Sequence, residues 1–193
     1  MRIIAGTFKG KSIPAATNHN VRPTSDRTKE AIFSYLDARY VWKGHTVLDL
    51  FAGTGNLGLE ALSRGVESVD FVETETDVVK RLHSTCHSFG VESQVRIHHV
   101  DVATFLEQSS QASHIRAYDI RAYDTQAYDF ILADPPYDWS HLPELPSIIL
   151  DGNLLLDDGT FILEHDKRHS FDTHPKCVRS KPYGRTIVSI FEP

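Results

Sequence analysis

The chain is predicted to fold as a doubly wound α/β protein on a mostly parallel sheet. From residue 46 onward, short apolar runs alternate with amphipathic segments that close on glycine. The first run, Val47-Leu48-Asp49-Leu50, leads through Phe51-Ala52 into the glycine pattern Gly53-Thr54-Gly55-Asn56-Leu57-Gly58. A strand, glycine loop and helix in that order present backbone N–H groups and a helix N-terminus to a bound nucleotide. The third observation is Asp134-Pro135-Pro136-Tyr137 at the end of another apolar run. Strand ends of that kind are where ligands sit in open α/β sheets.

The elements follow in order. Residues 2–6 and 11–13 flank a turn signal at Gly10 and read as a short hairpin. Pro23-Thr24 opens a helix that Thr24 or Ser25 can cap, with Ala31, Ile32, Tyr35 and Leu36 as its apolar stripe. Strands are expected at 46–50, 68–73, 95–99, 130–133, 160–164 and 186–191, with helices at 57–64, 77–89 and near 141–150 and a short one at Ala103. Residues 1–40 are expected to form a hairpin-and-helix extension, and 41–193 one compact unit. Residues 115–129 hold a five-residue repeat ending in Ala-Tyr-Asp, in three copies. That is too short for a solenoid. It reads as an expanded surface loop of which only the last copy, leading into Phe130, is structural.

Bulk properties narrow the class. The 193 residues suffice for one α/β domain with a full core. No apolar run approaches the roughly 18 residues of a membrane span. Met1-Arg2-Ile3-Ile4 runs straight into polar sequence, so no signal peptide is expected. Cys86 and Cys177 lie far apart without a partner motif, which suits free thiols in the cytoplasm. The net charge of −6 is unevenly spread: residues 1–30 and 176–185 each carry +4, and 31–175 carry −13. Basic ends on an acidic body suit a polyanion bound at one face. His83 with His87, and His165 with His169, have zinc-compatible spacing but no third ligand nearby, so solvated faces are expected and no metal.

The glycine pattern alone fits NAD, FAD and S-adenosylmethionine sites. Asp49 shifts the reading, because an acid four residues before Gly53 would repel a pyrophosphate and suits a cation such as a methionine amino group. Glu73 ends the next strand and can accept both ribose hydroxyls. Asp101 follows the third strand, placed for an adenine amine, although it can equally cap the helix at Ala103. Asp134 supplies a side-chain acceptor and Pro135 a carbonyl held by proline's fixed φ. Two acceptors on a conjugated amine turn its lone pair toward an incoming methyl, while Tyr137 offers a face for a flipped base. Asp134 and water are both candidates for the departing proton.

These residues resemble the S-adenosylmethionine-dependent guanine-N2 methyltransferases of bacterial 16S ribosomal RNA, the RsmD-like group. The resemblance lies in Arg2-Ile3-Ile4-Ala5-Gly6, in Arg22-Pro23-Thr24-Ser25-Asp26-Arg27-Thr28-Lys29-Glu30, and in the glycine loop. It continues through Leu57-Gly58-Leu59-Glu60-Ala61-Leu62-Ser63-Arg64-Gly65, Glu73, Asp134 to Tyr137, and Tyr183-Gly184-Arg185-Thr186. It implies a Rossmann-like, seven-stranded class I methyltransferase fold with its last strand antiparallel. Asp49, Phe51, Gly53, Thr54, Gly55, Glu73, Asp101 and Val102 would hold S-adenosylmethionine, and Asp134, Pro135, Pro136 and Tyr137 the guanine. Arg2, Lys9, Lys11, Arg22, Thr24, Arg27, Lys29 and Arg185 would face RNA. The implied partner is 16S rRNA in an assembling 30S subunit, met by a monomer without a membrane. Thr85 stands about where the family carries an asparagine, and the five-residue repeat is no family feature.

Rival readings are an NAD-dependent oxidoreductase, opposed by Asp49 and the Pro-Pro-Tyr run, and a DNA adenine-N6 methyltransferase, which needs a target-recognition domain. A glutamine methyltransferase of release factors would carry Asn at position 134. A non-catalytic RNA-binding protein would have no need of Asp134 or Tyr137.

Overall fold

The structure, a computed structural model, describes residues 1–14, 25–115 and 127–193, with only the backbone of 110–115. Its centre is one seven-stranded sheet: β1 (Thr46–Leu50), β2 (Ser68–Glu73), β3 (Val95–His99), β4 (Tyr128–Ala133), β5 (Leu155–Asp166), β6 (Cys177–Tyr183) and β7 (Thr186–Phe191). The spatial order is β3-β2-β1-β4-β5-β7-β6. The β1–β5 neighbours pair in parallel, and β7 runs antiparallel to both β5 and β6. The helices are α1 (Asp26–Asp37), α2 (Asn56–Arg64), α3 (Thr76–Phe89), α4 (Val102–Ile115) and α5 (Leu145–Asp151). None of the described helices is long and apolar enough to cross a membrane.

The inner parallel strands β1, β2 and β4 are buried on both faces, as such strands are. Along β4, Phe130 and Leu132 enter one core and Ile131 and Ala133 the other. The period of two repeats in β1, where Val47 joins the first core and Leu48 and Leu50 the second. Asp49 therefore points to the first face, where α2 lies. Gly58 permits that packing: a Cβ there would stand 2.3 Å from the Phe71 ring on β2. This is the role of the third glycine in such fingerprints.

The first residues fold back on α2. Arg2 bridges Ser12, and Ile3 and Ile13 enter the first core with Ile32, Phe33 and Leu36 of α1. Glu60 of α2 accepts the Ile4 and Ala5 N–H groups at 2.8 and 3.1 Å. Ser63 accepts the Phe8 N–H at 2.9 Å on Oγ and the Thr7 N–H at 2.7 Å on its carbonyl.

Several elements differ from expectation. Ser25 caps α1 by accepting the Thr28 N–H at 3.1 Å; Thr24 lies outside the described residues. The helix at Ala103 runs to Ile115, and α5 starts only at Leu145. β5 begins at Leu155, and the strand β6 was not anticipated from the residues. The first two copies of the repeat and the start of the third fall outside the described residues apart from Ile115, whereas Tyr128 and Asp129 of the third belong to β4. Tyr128 donates from its hydroxyl to Asp70 at 2.9 Å, and Asp129 accepts the Thr46 N–H at 2.7 Å.

Candidate active site

Three carboxylates and a strained loop meet at the C-terminal ends of β1, β2 and β4. Phe51 follows β1 at φ 59°, a conformation few non-glycine residues adopt. It packs edge-on against Trp139 at 4.9 Å. Gly53 and Gly55 continue the turn at φ 54° and 80°, and Gly55 stands as the N-cap of α2. Thr54 is buried within the loop.

Asp49 is only 2 % exposed, and its Oδ2 accepts the Gly58 N–H of α2 at 2.8 Å. Burial pushes its carboxyl well above the ordinary range; the Gly58 N–H opposes this, while the charges of Asp134 and Glu73 add to it. A buried acid in the field of two others is a site for a cation. Glu73 accepts the Gly53 N–H on one oxygen and those of Thr74 and Glu75 on the other, each at 2.8 Å. Its carboxylate thus orders the glycine loop. Space beside Gly53 is open, the nearest atom to an added Cβ being the Phe51 carbonyl oxygen at 3.9 Å. An adenosine-bearing cation fits this donor and acceptor set. Asp101 is exposed, and its Oδ1 caps α4 by accepting the Ala103 N–H at 2.9 Å. The Val102 side chain turns into the second core.

After β4, Asp134 is half-buried, Pro135 buried, Pro136 exposed and Tyr137 half-buried. The Pro136 carbonyl accepts the Trp139 N–H at 2.9 Å, which folds Trp139 back toward Phe51. Tyr137 is held at both ends. Its hydroxyl meets Thr186 Oγ1 at 3.2 Å, and its carbonyl accepts from Arg168 Nη2 at 2.8 Å. The Arg168 guanidinium also lies over the ring, 5.9 Å from its centre, and is anchored by Asp166 at 2.6 Å.

The cationic residues expected to face RNA divide. Arg2, Lys9, Lys11, Arg27 and Arg185 are exposed. Arg2 pairs with Asp26 at 3.1 Å, which ties the hairpin to α1. Lys11 rests on the Phe8 and Phe89 rings at 4.8 Å from each centre. Arg22, like Thr24, lies outside the described residues. Lys29 is a correction: it is fully buried, pairs with Glu60 at 3.2 Å, and donates to the Arg2 carbonyl at 2.6 Å and Asn56 Oδ1 at 2.9 Å. A side chain so placed reaches no phosphate. Burial pulls its ammonium below the usual lysine value, against the pull of Glu60.

Among the described residues no group of three or more His, Cys, Asp or Glu side chains is gathered as a metal ion would need. His87 pairs with Glu92, and buried His165 meets Ser189 Oγ at 2.8 Å.

The family model described as Conserved hypothetical protein 95 matches residues 1–192. The chain belongs to that RsmD-like family. It is 30% identical over 190 residues to the ribosomal RNA small subunit methyltransferase D of Haemophilus influenzae, covering 98% of this chain and 91% of that one. Among solved structures, a hypothetical protein of Thermus thermophilus superposes with a TM-score of 0.81 at 26% identity, over 100% and 99% of the two chains. An RNA methyltransferase of Salinibacter ruber, solved with S-adenosyl-L-homocysteine, gives a TM-score of 0.60 at 16% identity, over 88% and 92%. The last likeness is one of fold, that of the class I methyltransferases.

Two features of this RsmD-like site were not read from the sequence. Arg168 and Thr186 clamp Tyr137, yet they come from the end of β5 and the start of β7, far along the chain. The sequence signal for Arg168 was its position beside a strand end, and for Thr186 its place in the segment Tyr183-Gly184-Arg185-Thr186, which gave it no role. Trp139 had no signal beyond its closeness to the Pro-Pro turn.

Proposed function

We propose that this protein transfers a methyl group from S-adenosylmethionine to the exocyclic N2 amine of a guanine in 16S ribosomal RNA of the assembling small subunit. The observation that carries the reading is the convergence of Asp49, Glu73 and Asp134 at neighbouring strand ends, with Asp49 feeling both of the other charges. S-adenosylmethionine supplies an electrophilic methyl on a cationic sulfur. Asp49 meets the positive amino group, Glu73 the ribose hydroxyls and Asp101 the adenine amine. The Asp134 carboxylate and the Pro135 carbonyl accept from the guanine N–H groups and aim the nitrogen lone pair. Tyr137, clamped by Arg168 and Thr186, carries the base. Fixed geometry of this kind accelerates transfer by removing the entropy of orientation. The names of the relatives support ribosomal RNA of the small subunit as the substrate class.

The test is transfer of labelled methyl to undermodified small subunits, naked 16S RNA and duplex DNA, with the product nucleoside identified. N2-methylguanosine from either RNA substrate is expected, and Asp134→Ala abolishes transfer while retaining cofactor binding. Methyladenine in DNA, or no RNA product from a cofactor-binding protein, overturns the reading.

A further inference from the structure

A groove of about 490 Å³ lies outside the site just described, between α1 and the sheet edge formed by β6 and β7. Its charged lining is Arg27 and Glu30 from α1, Arg39 just after it, and Arg179 and Lys181 from β6, a net of +3. The floor is apolar, made by Ala31, Val188 and Ile190. Tyr35, itself buried, forms a shelf on which the Arg39 and Arg179 guanidiniums lie, at 3.7 and 5.6 Å from the ring centre. Tyr183 is half-buried with Lys181 over its ring at 5.7 Å. All four cations are exposed on a molecule whose net charge is −6.

We propose that this groove binds a single-stranded RNA segment adjoining the target nucleotide, a proposal that rests on the RNA-methyltransferase reading. Charge complementarity selects a polyanion: cations are gathered here on an otherwise acidic protein. The pattern selects nucleic acid over an acidic peptide, because shelved guanidiniums and a tyrosine face stack on bases while the lysine and arginine charges meet phosphates. Continuity supports the same occupant. Tyr183 pairs across the hairpin with Thr186, whose hydroxyl holds Tyr137. A strand whose guanine rests on Tyr137 therefore meets the groove one cross-strand pair away.

The experiment compares wild type with Arg179→Glu/Lys181→Glu, with the milder Arg179→Gln/Lys181→Gln, and with Lys80→Glu as an exposed control on α3. Binding of 16S RNA is measured against salt concentration, and S-adenosylhomocysteine affinity and melting temperature report the fold. The Glu pair is expected to weaken RNA binding at least about tenfold, and both pairs to flatten the salt dependence by about 1.4 in log–log slope, two single-strand phosphates' worth. Lys80→Glu is expected to change neither. Unchanged RNA affinity and slope in folded groove variants of an enzyme that methylates RNA overturn the groove alone, as does an equal loss in Lys80→Glu. A wild type that methylates no RNA overturns the parent reading and the groove with it.

Discussion

Lys29→Met tests whether a lysine in a basic segment serves RNA or the fold. The ammonium is 0 % exposed and replaces water with three partners: Glu60, the Arg2 carbonyl and Asn56. Removing one partner of a buried ion pair costs about 3–5 kcal/mol. Glu60 is not stranded by the change, because Arg64 stays on it at 2.8 Å and the Ile4 and Ala5 N–H groups at 2.8 and 3.1 Å. The loss therefore falls near the lower end, about 3 kcal/mol. For a chain of this size each kcal/mol moves the melting temperature by about 2–4 °C, so a fall of about 6–12 °C is expected. The assay is urea and thermal unfolding of Lys29→Met, Glu60→Gln and the double variant, with RNA binding measured against salt in parallel. The double-mutant cycle should show coupling of about 0.5–3 kcal/mol. A variant that melts within about 1 °C of wild type, well below the expected fall, but loses a unit of salt slope would refute the buried assignment and restore the phosphate contact.

Three further outcomes are expected. Asp49→Asn keeps an oxygen for the Gly58 N–H but removes the buried charge. The wild-type carboxyl is raised in the folded protein, so ligand-free stability falls as pH climbs from the ordinary range near 3.8 through the raised value. Above that window the variant melts higher than wild type and binds S-adenosylmethionine about 10–100-fold more weakly, the worth of a charge-assisted bond; equal affinity by calorimetry would remove Asp49 from the cofactor site. Gly6→Ala brings a Cβ to 1.7 Å from the Ser63 carbonyl oxygen at φ +79°, so the urea midpoint falls, with a loss of at least about 2 kcal/mol. Arg168→Ala frees Tyr137, lowering kcat about tenfold or more at saturating RNA while cofactor affinity holds. An unchanged kcat would show that the clamp on Tyr137 has no part in positioning the base.

Strand signals were legible where burial is two-sided. β1 and β2 begin and end where apolar runs do, because a parallel interior strand has no polar face to blur it; the bounds of β3, at one edge, and of the antiparallel β7 also match their sequence signals. β6 is the edge strand beyond β7. Its Arg179 and Lys181 are exposed, Val178 is 51 % exposed, and Pro182 sits where an edge tolerates it, so no apolar run marks it. The start of β5 was hidden by Asp157-Asp158-Gly159, a turn signal that proves to be a register irregularity: Tyr128 pairs with Leu155 but Phe130 with Thr160. At the site, the acids and the Pro-Pro turn were readable because their chemistry is local to strand ends. Lys29 was misread because its partner Glu60 is distant in sequence, and charge alone predicts exposure.

The family-like segment Leu57 to Gly65 has a physical explanation in α2. Its Gly58 N–H holds Asp49, and its Asn56 accepts from Lys29. Glu60 and Ser63 bind the backbone of residues 4–8, and Arg64 joins Glu60 to Asp37 at the end of α1. One nine-residue helix thus carries the glycine loop at its first turn and the basic N-terminal hairpin along its side. The hairpin is fixed to it by backbone hydrogen bonds to buried side chains, contacts that a flexible linker would not make. RNA lying on that hairpin would be registered against the methyl-donor site through a single rigid element. The small residues and the acid of this helix are set by those contacts.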